Sequence, residues 1–492
     1  MPSRELPREP SIEHLRNQAK QLRRQVRAGD QAALAVAREL HPQADTASTF
    51  ALADAQLVLA RQYGFASWPK LRRHVEVLTH YSRSPHHPPA GAASVVDEFL
   101  RLACLTYGGD DPARRDRART LLAEDPQLAH ASIHTMAALG DVTATAALLA
   151  ADPEQASAIG GPHSWEPLLY LAYSRLDSVA PGHSTLEVAR LLLAAVADPN
   201  AGYLWEGTYA FTALTGVLGE GEDAVNQPRH QFWLPLARLL LAAGADPNDS
   251  QGLYNRMFGT SDDHLRLLFS YGLGSGSGGP WYERCPAALP SPAQMVEDQL
   301  LWSADRDRVG WVRLLLDNGA DPDGLGFWFT GEDRRTAYER AVLGGNTEVA
   351  ELLRAAGARP VPLDPVQEFV AACLRADRGW AEELVTADPG VVGQAIGRQP
   401  AAIITAAELR RPGAVRLLAG LGFDVNAVRR ISALHEAAST GDLEMIEVLL
   451  ALGADPDARD GEFNATPLGW AEHGGHQHAA DRLRPITAPP PG

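Results

Sequence analysis

An all-α solenoid of about ten or eleven helix-turn-helix units with short finger loops, preceded by a small helical domain, is the fold class that this 492-residue sequence predicts. Three observations carry the reading. A helix-stop phrase recurs: Leu449–Asp457 reads Leu-Leu-Ala-Leu-Gly-Ala-Asp-Pro-Asp, and Leu314–Asp323, Leu239–Asn248 and Leu191–Asn200 repeat it, with Leu417–Asn426 as a variant. A second phrase precedes it, as Ser432-Ala-Leu-His-Glu-Ala-Ala-Ser-Thr-Gly-Asp442, with counterparts at Thr466–His476 and Thr336–Asn346. The starts at 336, 368, 401, 432 and 466 lie 32, 33, 31 and 34 residues apart. A helix-stop at near-constant spacing is the mark of a stacked array, in which each unit buries its apolar face against its neighbours.

The chemistry of the phrases fits that geometry. Thr or Ser caps the first helix of a unit. Pro or Ala suits the first helical position, and paired alanines let two helices approach closely. A glycine that takes positive φ ends the second helix, and Asp-Pro turns the chain. These residues resemble the ankyrin-repeat family, whose consensus runs Thr-Pro-Leu-His-Leu-Ala-Ala-x-x-Gly-His and then a second helix ending Leu-Leu-x-x-Gly-Ala-Asp. The resemblance covers about residues 95–485, with units beginning at Ala131, Glu166, Thr212, Asp298, Thr336, Glu368, Ala401, Ser432 and Thr466. Degenerate units complete it near Leu253-Tyr254 and over Val95–Pro126. It implies structural, hydrogen-bonding roles for His134 and His435, which stand at the consensus histidine.

In chain order, residues 1–80 form an accessory helical segment. Ser11 caps a helix with Ile12, Leu15, Ala19, Leu22 and Val26 at helical spacing, and Gly29-Asp30 ends it. Further helices are predicted over Gln31–Leu40 and Ala53–Tyr63, and a last one opens at Ser67-Trp68-Pro69. The segment reads as a helical cap on the array rather than as a helix-turn-helix, because Lys70, Arg72, Arg73 and His74 are its only basic reach. Similar segments accompany bacterial ankyrin-repeat proteins. Residues 81–93, with Ser-Pro-His-His-Pro-Pro, read as a linker. Elaborated repeats follow over 94–361, with extra residues around Asp177–Thr185 and Glu220–Trp233. Regular repeats and a tail fill 362–492.

Composition bounds the setting. Cys104, Cys285 and Cys373 are few and far apart, so no disulfide framework is expected. No stretch has membrane length and the start has no signal-peptide pattern, so the expectation is a cytoplasmic protein without a membrane partner. Two lysines among 44 basic residues reflect a high-GC coding bias. The net charge of −17 resides outside the first 80 residues, which disfavours nucleic acid as a partner.

Catalytic motifs are scarce. Gly274, Gly276 and Gly279 match G-x-G-x-x-G without the strand and helix that a dinucleotide site needs. His473, His476 and His478 lack a further ligand, so no metal site is read, and no cofactor is expected. What stands out is the aromatic content of residues 165–328, which hold 7 of 10 Trp and 7 of 11 Tyr. Two functions follow. The resemblance implies a scaffold that grips a protein, or a small apolar or cationic ligand, on a concave face including Trp205, Tyr209, Tyr254, Arg256, Phe327 and Trp328. The alternative is a cofactor-independent isomerase, cyclase or lyase, with an aromatic-lined pocket and Glu206, Glu220, Glu222, Asp263 and His264 as acid/base candidates.

Overall fold

The structure is a computed structural model that describes residue 4 and residues 6–7, 10–42, 48–87, 94–176, 182–285, 288–328 and 334–488. Helix makes up 59% of it and the described strands are three short ones, so the all-α class holds with one exception, given below. Two compact units divide the chain: Met1–Gly259 with Gly276–Ser291, and Thr260–Ser275 with Pro292–Gly492. Among the described residues no helix is long and apolar enough to cross a membrane.

The first unit opens with four helices, α1 (Ile12–Arg27), α2 (Gln31–Leu40), α3 (Leu52–Gln62) and α4 (Trp68–Tyr81). Ser11 caps α1 by accepting from the His14 amide, and Asp30 caps α2 from Ala32 and Ala33. Ser67 occupies the cap position of α4 without a side-chain bond. Leu15, Ala19, Val26, Val58, Leu59 and Leu71 close a core of their own.

The exception follows α4. Strand β1 (Ser82–Arg83) pairs in parallel with β2 (Gly202–Trp205), and β2 pairs antiparallel with β3 (Tyr209–Thr212). Residues 82–83 are therefore sheet where a linker was expected, while 88–93 lie outside the described residues. The finger before Thr212 is likewise a β-hairpin and not a short loop. Its cause is local: Tyr203, Trp205, Tyr209 and Phe211 are strand formers in alternation. Between them Glu206 and Gly207 both take positive φ, +48° and +75°, the backbone of a hairpin turn.

Helix pairs follow in the first unit: Ile133–Leu139 with Val142–Ala151, Pro167–Tyr173 with Thr185–Ala194, and Ala213–Leu218 with Trp233–Ala242. Thr212 caps its helix as its place in the phrase requires. The Asp177–Thr185 insertion lies mostly outside the described residues. The Glu220–Trp233 insertion is held by Arg175, which is buried and donates to the carbonyls of Gly216 and Pro228.

The second unit repeats the pair from Pro292–Asp305 with Val309–Asp317 to Pro467–His473 with Gln477–Leu483. Thr336, Ser432 and Thr466 are side-chain caps. Gly319, Gly357, Gly422 and Gly453 all take positive φ after the second helix. Asp298 and Glu368, read as unit starts, lie inside helices Pro292–Asp305 and Pro365–Leu374. Those helices start earlier because Pro292 and the Asp364-Pro365 pair are the stronger initiators. An additional helix, Val391–Arg398, stands where a finger was expected. One apolar core runs from Val366 to Leu483.

Candidate functional site

The hairpin gathers the most chemistry. Trp205 sits half-buried at the end of β2, and its Nε1–H donates to the Thr106 carbonyl at 3.1 Å. The indole lies flat on the His86 ring, with centroids 4.5 Å apart and planes 16° apart. His86 also lies against Gly108, where a Cβ would stand 2.6 Å from the His86 Cβ. The imidazole thus carries the indole on one face, and the His87 ring lies 4.1 Å from it. Glu206, at the tip, turns its carboxylate towards His86 (Nε2 to Oε1, 3.3 Å) and His87 (3.9 Å). Burial holds the His86 pKa below its ordinary value, His87 adds to this, and Glu206 opposes it.

Behind the hairpin the aromatic excess is spent on packing. Trp165 stacks on Tyr203 at 5.0 Å and tilts against Tyr170 and Tyr173 at 5.3 and 5.0 Å. Tyr203 stacks on Phe211 at 5.7 Å. All five are buried. These rings pack on one another in a local core of the elaborated units. Two cavities lie elsewhere, about 390 Å³ beside Gln18, Gln21 and Gln25 in the first unit, and about 320 Å³ beside Tyr338 and Asn346 in the second.

The other expected site residues divide into small groups. Glu220 is ion-paired with both Arg256 and Arg229. Arg256 is wholly enclosed and braces the Glu220 loop. Tyr254 donates its hydroxyl to Glu222. His264 is also enclosed, edge-on to Trp311 at 5.4 Å, with Asp263 beside it in the first turn of helix Asp263–Phe269. Burial of Arg256 and His264 follows from their places on the inner faces of helices, which aromatic content alone does not reveal. Tyr209 stays exposed on β3, 6.4 Å from Trp205.

Phe327 and Trp328 form a finger of the second unit, their rings 5.1 Å apart. Their amides both donate to the Asp298 carboxylate, at 2.8 and 3.1 Å. Burial pushes that carboxyl up to about 7, against the two amides. The last finger is built alike: Asp460 accepts from the amides of Glu462, Phe463 and Ala465 and from the Trp470 indole. A buried carboxylate thus ties each finger, while Trp328 and Phe463 project from it, 38% and 65% exposed. Sequence reasoning missed this device, although an Asp three residues before a finger aromatic was visible at Asp460 and Phe463. His134 and His435 hold the carbonyls of Ala158 and Ala465, the structural role expected of them.

Short helices in capped pairs, closed by glycine and Asp-Pro and bearing projecting fingers, define a helical-repeat protein. Residues 429–461 match the ankyrin-repeat family, a match that supports an ankyrin-repeat protein. The chain is also similar to palmitoyltransferase Hip14 of Drosophila melanogaster, 38% identical over 90 residues, which are 18% of this chain and 14% of that protein. It is similar to palmitoyltransferase AKR1 of Lachancea kluyveri, 36% identical over 70 residues, 14% of this chain and 10% of the relative. The matched stretch is thus a small part of each of these eukaryotic relatives.

Proposed function

We propose that the chain is a cytoplasmic scaffold of about ten or eleven ankyrin repeats that binds a protein partner through its fingers, with residues 1–80 as an accessory helical cap. The observation that carries the reading is the pair of braced fingers in the unit that holds the ankyrin match. Trp328 and Phe463 are exposed aromatics on loops fixed by Asp298 and Asp460. Aromatic anchors on a preorganised backbone lose little freedom on binding. Val428, 52% exposed in the finger before Ser432, adds a third apolar tip. The net charge of −17 favours a basic partner. On the enzyme side, Glu220 and Glu222 are engaged by Arg256, Arg229 and Tyr254, and the central rings fill their own core. The similarity to two palmitoyltransferases spans too little of either to extend acyl transfer to this chain.

The test uses the full-length chain to isolate a partner from extracts of its source cells and measures affinity for it. Trp328→Ala with Phe463→Ala should weaken binding about tenfold or more, with helical circular dichroism unchanged. Undiminished affinity would remove the fingers from the interface. Turnover of a small molecule by the purified protein would replace the scaffold with an enzyme.

A further inference from the structure

We propose that His86, His87 and Glu206 form a binding site for a divalent transition ion of the zinc class, these three side chains supplying its protein ligands. One ligand atom from each of the three residues lies within 4.8 Å of the other two. Ligand atoms 2.0–2.1 Å from a tetrahedral zinc stand roughly 3.3 Å apart. The His86 Nε2 to Glu206 Oε1 separation of 3.3 Å already has that value, and His87 at 3.9 Å needs only a small rotation of an exposed ring. Two imidazoles and a carboxylate suit zinc, cobalt or nickel, whereas calcium and magnesium want oxygen alone.

The surroundings are those of a built site rather than of a chance encounter. The His86 ring is packed flat against Trp205, and its Cβ sits so close to the bare Gly108 backbone that a side chain at 108 would displace it. The indole is itself pinned by its bond to the Thr106 carbonyl. Pairing of Arg83 with Trp205 in the sheet, and the bond from the Glu206 amide to the Arg83 carbonyl at 3.0 Å, set the two chain segments in register. Glu206 sits at φ +48°, a left-handed conformation that Asn or Gly would fill more easily. A carboxylate is kept at the tip despite that strain, the pattern of a functional position. A simple ion pair would need one histidine. A second imidazole nitrogen approaching the same oxygen is what a shared cation explains.

The site is independent of the scaffold reading, since it lies in the first unit and involves neither Trp328 nor Phe463. The test is titration of chelator-treated full-length protein with Zn²⁺ alone, followed by calorimetry and thermal melting, with Co²⁺ absorbance as a geometric readout. One equivalent should bind and raise the melting temperature, and Co²⁺ should show the strong visible bands of a tetrahedral site. His87→Ala, a change at an exposed side chain, and Glu206→Gln should each weaken binding at least tenfold and abolish the thermal shift. His478→Ala should change nothing. Absence of binding by the unaltered protein overturns the proposal. So does Zn²⁺ affinity that survives His87→Ala and Glu206→Gln, as adventitious binding to His473, His476 and His478 would produce.

Discussion

Val196 occupies the place that Gly244, Gly319 and Gly453 hold in the other helix-stops, and it adopts the same left-handed backbone, φ +68°. A β-branched side chain there collides with its own carbonyl, and at 83% exposure it gains almost no burial in return. Val196→Gly should therefore raise stability by about 1 kcal/mol, read as a shift in the urea midpoint at constant slope. A loss of stability would mean that the valine packs in a way its exposure does not show. The glycines themselves were legible in the sequence, because the stop phrase repeats around them. The roles of Asp298 and Arg175 were not. Each acts on backbone groups far along the chain, which only folding brings to it.

At the scale of the element, the helix pairs were legible because caps, alanines and stops are all local signals. Ala437 shows what the pairing demands. It is buried in helix Ala433–Ser439, within the continuous core of the regular repeats. Ala437→Leu should cost about 1–3 kcal/mol through overpacking, and an unchanged melting temperature would place Ala437 on an outer face. Two elements escaped the sequence reading. Helix Val391–Arg398 replaces a finger, because Val391, Ala395 and their neighbours present an apolar stripe that the repeat register masked. The hairpin was readable in principle, from Tyr203 to Thr212, but its Glu-Gly turn is a weaker signal than Asn-Gly. Its pairing with β1 had no local trace at all, so His86 and His87 remained in a presumed linker, far along the chain from Glu206.

Among whole units, the stretch from Val366 to Leu483 shares one core and holds the most regular repeats. A fragment from residue 362 to 488 should fold alone, with helical circular dichroism and a cooperative urea transition, since about three stacked repeats suffice. A random-coil spectrum would show that its stability is borrowed from residues before 362. The first unit is wired differently. In an array most contacts join neighbours, so each part can form as soon as it is made. The sheet breaks that rule, because β1 and the end of β3 are separated by about 130 residues. At a synthesis rate of about 5–20 residues per second, the nascent β1 waits roughly 6–25 s for its partner strands. During that interval the four leading helices are a finished bundle trailing an unpaired strand edge. This is the period in which a chaperone, or a second nascent copy, would find the chain open to mispairing.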